Sequence, residues 1–215
     1  MFVGILLLIV SYLIGSIPFG LLIGKAAGKD IRKSGSGNIG STNVVRTLGL
    51  KLGLLSALCD ITKGTIVIIL IYILESSNIW YNPFVINGDS LYILYGLTAV
   101  LGHCCSIYLK FTGGKAVATS LGVLFAVVPF AALVALIVFL TIMLITGIVS
   151  LGSTFATISA VISAFIIYGI FDNKIFTCIA LIAFAALIII KHIPNYKRII
   201  AGTESSFKKN KNVAK

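Results

Sequence analysis

Residues 130–149 read FAALVALIVFLTIMLITGIV, a run without a single charge. As a helix it would be about 30 Å long, the thickness of a bilayer's hydrocarbon core. Its only side-chain polar groups are Thr141 and Thr146, too few to give a helix a face toward water. The same signature repeats in both directions along the chain, at Phe2–Gly24, Leu52–Leu74, Leu91–Leu109, Val117–Val128, Leu151–Phe171 and Ile175–Ile190. Hydrophobic residues make up 59% of the 215 and charged residues only 11%, against about 25% charged in an ordinary soluble domain. Such a chain has to bury its apolar surface in lipid, and lipid admits open chains only as helices.

The reading is therefore an all-α, polytopic membrane helix bundle with seven transmembrane helices. The fourth run is the shortest: it begins just after a glycine pair and ends at Pro129. Charge placement decides whether it counts. Lys and Arg collect in cytoplasmic loops. The gap after the first run holds Lys25, Lys29, Arg32, Lys33, Arg46 and Lys51, and the gap after the third holds Lys110 and Lys115. The C-terminal region holds Lys191, Lys197, Arg198, Lys208, Lys209, Lys211 and Lys215. With seven spans and the N-terminus outside, these gaps all face the cytoplasm, and only Lys63 and Lys174 of the 17 basic residues fall elsewhere. With six, the first loop and the tail would lie on opposite faces. The expectation is one domain over 1–215, with 204–215 a basic cytoplasmic tail.

The net charge of +11 does not indicate nucleic acid, because the basic residues sit in short gaps between apolar runs instead of on one water-facing surface. The first run starts at Phe2 with no preceding Lys or Arg and is too long for a signal h-region, so it is read as a retained span. Cys59, Cys104, Cys105 and Cys178 show neither CxxC nor metal-ligand spacing with a histidine, and no metal or cofactor is expected.

Three polar segments fall on the predicted cytoplasmic side: 34–49, 102–120 and 192–204. In the first, Gly35, Gly37 and Gly40 permit close backbone approach, and exposed N–H groups there can cradle an anion. Ser36, Thr42 and Asn43 add neutral donors, and Arg46 adds a fork suited to phosphate. The alternative for this segment alone is a flexible loop. In the second, Gly113, Gly114 and Lys115 open a helix, an arrangement suited to phosphate. It is not a nucleotide-hydrolysing P-loop, since the first glycine of that pattern is missing and Ala116 follows the lysine. His103 reads equally as a structural or a catalytic histidine. In the third, His192 and Asn195 share a helical face if the turn survives Pro194; the alternative is a polar interfacial helix end. Asp60 and Lys63 lie three apart inside the second run. Intramembrane charges are costly and pair or serve function. Pairing with each other is favoured, with Lys63 also able to assist an anion site.

Taken together, GSGNxGxTNxxRxxG at 35–49, DxxKG at 60–64, GH with FxGGK at 102–115, and HxxNxKRxxxGTE at 192–204 resemble the acyl-phosphate-dependent glycerol-3-phosphate acyltransferases of bacterial membranes. The resemblance runs the whole chain in order and spacing. It implies transfer of a fatty acyl group from acyl-phosphate to the 1-position of sn-glycerol 3-phosphate, giving lysophosphatidic acid and inorganic phosphate. It implies no metal, and an active site on the cytoplasmic face. By motif position, Ser36, Thr42, Asn43 and Arg46 would contact phosphate, and Gly113, Gly114 and Lys115 would form a phosphate loop. His192 and Asn195 would be active-site polar groups, and Glu204 mainly structural. Three departures stand out: Ile39-Gly40-Ser41 in place of Pro-Gly-Ala, Cys105-Ser106 in place of Phe-Pro, and Ala116 in place of glycine. The last adds a methyl at a tight loop. Two other readings weigh less. A thioester acyltransferase would show His-x4-Asp, but Tyr108 and Lys197 stand at those positions. A small transporter of a phosphorylated metabolite would carry its polar groups at midplane.

Overall fold

The computed structural model describes residues 2–77, 88–171 and 174–208, and is helical throughout apart from its connections. Asp172 and the end of the basic tail, Lys209, Lys211 and Lys215, lie outside the described residues. The chain forms two compact units, Met1–Val127 and Val128–Lys215.

The first unit contains α1 (Phe2–Ser16), α2 (Phe19–Ala26), α3 (Ser41–Leu48), α4 (Leu50–Ser76), α5 (Asp89–Cys104) and α6 (Val117–Val127). The first apolar run is thus two helices, broken at Ile17–Pro18. Proline has no N–H to continue the ladder, so the break leaves carbonyls without helical partners. In an apolar setting these must be satisfied by other groups. Ser106 Oγ donates to the Ser16 carbonyl at 2.6 Å, and Lys63 Nζ donates to the Ile17 carbonyl at 2.8 Å.

Small residues set the helix spacing. A methyl on Gly64 would run into the backbone of Thr119, and one on Gly122 into the Ile61 carbonyl, so α4 and α6 meet backbone to backbone. Gly15 does the same against Ala99 where α1 meets α5. Without a hydrophobic drive between helices in lipid, such close van der Waals contact is what holds them.

The second unit contains α7 (Pro129–Thr146), α8 (Val149–Ala164) and α9 (Ile175–Ile200). The last turns after α8, Phe165–Phe171, widen to π geometry. α7 and α8 are joined by a tight turn in which Gly147 adopts φ +72°, closing α7.

All seven predicted apolar runs are helical. Among the described residues five helices are long and apolar enough to cross a bilayer: Phe2–Ala26, Leu50–Ser76, Pro129–Thr146, Val149–Ile170 and Ile175–Ile200. The third and fourth runs are shorter as helices than as hydrophobic stretches. α5 has 16 residues and α6 has 11. At 1.5 Å per residue α6 extends only about 16 Å.

Candidate functional site

The glycine-rich loop before α3 is organised by a single amide. Asn43 is 1% exposed. Its two amide protons serve three carbonyls, of Ile31 (2.9 Å), Ser34 (3.1 Å) and Asn38 (2.8 Å), and its Oδ1 accepts the Ser36 N–H at 2.8 Å. The loop therefore wraps around Asn43. Gly35 lies so close that a methyl on it would strike Asn43 Oδ1, and its φ of +61° suits glycine. Every polar atom of the Asn43 side chain is engaged within the loop. Ser36 remains exposed at the loop's crest, and Thr42 and Arg46 are half-buried on α3. The loop is anchored from behind: Gly20 of α2 admits the Ile39 carbonyl where any side chain would block it, and Gly53 of α4 does the same for Val45.

The second segment folds back on the end of α5. Ser106 N–H bonds the Thr112 carbonyl at 3.1 Å, forming an isolated antiparallel bridge. Gly114 N–H bonds the His103 carbonyl at 3.0 Å. A Cβ on Gly114 would occupy the place of His103 Nε2, and one on Gly113 would run into the carbonyls of His103 and Cys104. These glycines are needed for close approach, in keeping with their spacing in the sequence. Lys115 is half-buried just before α6. Ala116 adopts φ +61° and is 1% exposed. Its methyl therefore sits in the left-handed region that glycine tolerates and that costs alanine about 1–2 kcal/mol to enter.

Asp60 and Lys63 pair at 2.7 Å, as their spacing predicts. They are 2% and 3% exposed. Lys63 Nζ also reaches His103 Nδ1 at 2.9 Å, and Asp60 Oδ1 lies 3.6 Å from the same nitrogen. Lys63 Nζ thus pairs with the Asp60 carboxylate and lies within hydrogen-bond distance of the Ile17 carbonyl and His103 Nδ1. His103, left open by the sequence, belongs to this buried network.

In the second unit α9 continues through Pro194, so His192 and Asn195 do share a face. Both are buried, at 2% and 5% exposure. His192 Nδ1 is 2.8 Å from the Ile188 carbonyl. A carbonyl only accepts, so Nδ1 carries the hydrogen. Glu204 gathers the end of α9: its Oε1 accepts from Asn195 (2.7 Å) and Ser150 (2.8 Å), and its Oε2 from Arg198 Nε (2.7 Å). Burial pushes the Glu204 carboxyl pKa up. The hydrogen bonds from Asn195, Arg198 and Ser150 and the Arg198 charge outweigh that and hold it below its ordinary value of 4.5.

An apolar cleft of about 300 Å³ lies in the first unit between the α1–α2 break and α4, lined by Ile14, Ile17, Phe19, Leu58, Thr62 and Ile66. No group of three or more His, Cys, Asp or Glu suited to a metal occurs among the described residues.

Helices long and apolar enough to cross a bilayer, with a glycine loop and a buried ion pair packed among them, give the chain the build of an integral-membrane protein. The model of the glycerol-3-phosphate acyltransferase family matches residues 5–202. Glycerol-3-phosphate acyltransferase of Bacillus cytotoxicus is 44% identical, covering 95% of each chain. That of Desulfotalea psychrophila is 45% identical, covering 94% of this chain and 96% of its own. Among solved structures, PlsY (YgiH), an integral membrane glycerol 3-phosphate acyltransferase, superposes in its glycerol 3-phosphate form with a TM-score of 0.84 at 38% identity, over 99% of both chains. Its lysophosphatidic acid form gives 0.80 at 39% identity over 95% of both. This chain belongs to the glycerol-3-phosphate acyltransferase family.

Proposed function

We propose that this protein acylates the 1-hydroxyl of sn-glycerol 3-phosphate from a long-chain acyl-phosphate, giving lysophosphatidic acid and inorganic phosphate for phospholipid synthesis. The observation that carries the reading is the full-length likeness to a solved enzyme in its glycerol 3-phosphate form. The loop geometry supports it: Ser36 at the crest of the Asn43-held loop, Arg46 on α3, and Gly113-Gly114-Lys115 at the entry to α6 are donors of the kind two phosphates require.

The hydroxyl oxygen attacks the acyl carbonyl carbon, and the bond from that carbon to the phosphate oxygen breaks. An acyl-phosphate is already activated, so no covalent nucleophile is needed. The protein's part is to hold two anions in line and neutralise charge as it develops. The departing phosphate takes the hydroxyl proton and leaves as hydrogen phosphate. Ser36, Thr42 and Arg46 are assigned to phosphate, together with the Gly113-Gly114-Lys115 loop. His192 and Asn195 are assigned by motif as polar groups that orient substrate, Asn43 as the strut of the first loop, and Lys63 as an indirect contributor. The whole chain is read as one acyltransferase domain that needs no cofactor.

The test supplies purified protein with labelled glycerol 3-phosphate and palmitoyl phosphate, with palmitoyl-CoA or an acyl-carrier thioester in parallel. Product only from the acyl-phosphate is expected. Arg46→Ala should lower turnover about 100-fold, the loss of a charge-assisted phosphate contact of about 3 kcal/mol. His192→Gln, which keeps hydrogen bonding but not basicity, should retain turnover; its loss would make His192 the general base. Product from a thioester would replace the donor, and no product from any donor would sink the reading.

Seven spans, with the N-terminus outside and the site facing the cytoplasm of a bacterial cell, fit the distribution of Lys and Arg. A single thiol introduced as Lys29→Cys should react from the cytoplasmic side and one introduced as Asp89→Cys from the outside. Reaction of both from one side would break the topology.

A further inference from the structure

Lys63 is an expensive residue for a membrane helix. Its ammonium is ion-paired with Asp60 Oδ1 at 2.7 Å and lies within hydrogen-bond reach of the Ile17 carbonyl at 2.8 Å and of His103 Nδ1 at 2.9 Å. An ammonium only donates, so His103 Nδ1 must accept, and the hydrogen of the neutral ring is on Nε2. That Nε2 edge stands where Gly114 would carry a side chain. The carbonyl of the same histidine accepts the Gly114 N–H at 3.0 Å. His103 therefore grips the glycine pair twice, by its ring and by its backbone, while Asp60 and Lys63 fix which way the ring faces. The four groups come from α4, α5 and the α6 entry loop. Gly64, one residue after Lys63, packs on the backbone of Thr119 in the first turn of α6, so the same stretch of α4 braces that loop from both ends.

We propose that His103, oriented by the Asp60–Lys63 pair, is a positioning residue that sets the Gly113-Gly114 backbone for a phosphate-bearing substrate. This rests on the glycerol 3-phosphate reading above. A residue acting in this way changes affinity for that substrate without touching the reacting atoms. A residue serving only the fold would change stability alone.

The experiment measures kcat and both KM values for wild type, His103→Asn, His103→Ala, Gly114→Ala and the double variant His103→Ala/Gly114→Ala. In parallel it records the rise in Tm produced by glycerol 3-phosphate, which needs no turnover. His103→Asn keeps an acceptor for Lys63 and guards against simple misfolding. Each histidine variant should raise KM for glycerol 3-phosphate about tenfold, with kcat and the KM for palmitoyl phosphate within about twofold. The double variant should do better than the product of the two singles, because the new methyl fills space the ring has vacated. A fall in kcat with KM unmoved would overturn the proposal, as would a change in Tm alone or strict multiplicativity in the double variant. If wild type transfers no acyl group yet glycerol 3-phosphate raises its Tm more than that of His103→Asn, the reaction is wrong and the positioning stands. If transfer proceeds and the two Tm rises are equal, the reaction stands and the positioning is wrong.

Discussion

Two polar knots hold the ends of helices in this protein, one in each unit, and they are tied with different chemistry. Around Asn43, residues 31–43 are gathered by a neutral amide that donates to three carbonyls and accepts one N–H. Around Glu204, α8 and the end of α9 are gathered by a carboxylate that only accepts, from Ser150, Asn195 and Arg198. The amide can serve donors and acceptors at once, which suits a loop whose own carbonyls point inward. The carboxylate concentrates side-chain donors from separate helices and carries the countercharge for Arg198. The first knot is indifferent to acidity and the second is not.

The largest expected effect lies at the amide. Asn43→Ala strands three carbonyls and an N–H, which should cost about 2–3 kcal/mol and spread the loop that presents Ser36. Thermal unfolding and acyl-transfer assays should show a lower Tm and near-complete loss of turnover. Unchanged activity would mean that the loop holds its shape without its strut.

Next comes the carboxylate. Glu204→Gln keeps one carbonyl oxygen and loses the charge facing Arg198, for an expected loss of about 1–2 kcal/mol. Since the folded pKa of Glu204 is lowered, its stabilisation is fully present above 4.5, the ordinary value, and fades as pH falls through the lower folded value. The gap in Tm between wild type and Glu204→Gln should therefore narrow from pH 7 toward pH 3. A gap independent of pH would remove charge from the account of this knot.

The smallest effect belongs to a departure from the family pattern. Ala116→Gly removes a left-handed strain of about 1–2 kcal/mol and adds about 0.5–1 kcal/mol of chain entropy, leaving a gain of about 0.5–1 kcal/mol. A slightly higher Tm with unchanged or lower KM for glycerol 3-phosphate is expected. A lower Tm would mean that the Ala116 methyl contributes more packing than its backbone loses.

Much of the architecture is legible in the sequence. The apolar runs form helices because composition leaves no other way to satisfy a backbone in lipid. Asp60 and Lys63 pair because three residues along a helix is a contact distance. What spacing does not reveal is set by neighbours distant in the chain. His103 lies 40 residues from Lys63, and only the α4–α5 packing brings them together. Asn43 reads as a ligand because its residue type suits one; its use as a strut depends on where the loop's carbonyls turn, which no motif encodes. Pro18 gives a local signal, that of a residue unable to continue a helix. The receivers of the freed carbonyls, Ser106 and Lys63, are visible only in three dimensions. Lys115 stands just before a helix, as its glycine pair predicts, whereas the helix that carries Arg46 is not signalled by the glycine-rich segment.

The knot at Glu204 also has a consequence for biosynthesis. Its bond to Ser150 spans 54 residues, and just beyond it Phe207 and Lys208 close onto the turn at Ile145–Gly147. The Asn43 side chain finds all its hydrogen-bond partners within 12 residues, and the Asp60–Lys63–His103 network is complete once His103 has been made. Chains are synthesised from the N-terminus, and their parts fold as they emerge. The first unit can therefore close while translation continues, whereas the second waits until Glu204–Lys208 has left the ribosome. A chain halted near residue 200 would carry a finished first unit and an unlatched second one, making it a natural target for membrane proteases.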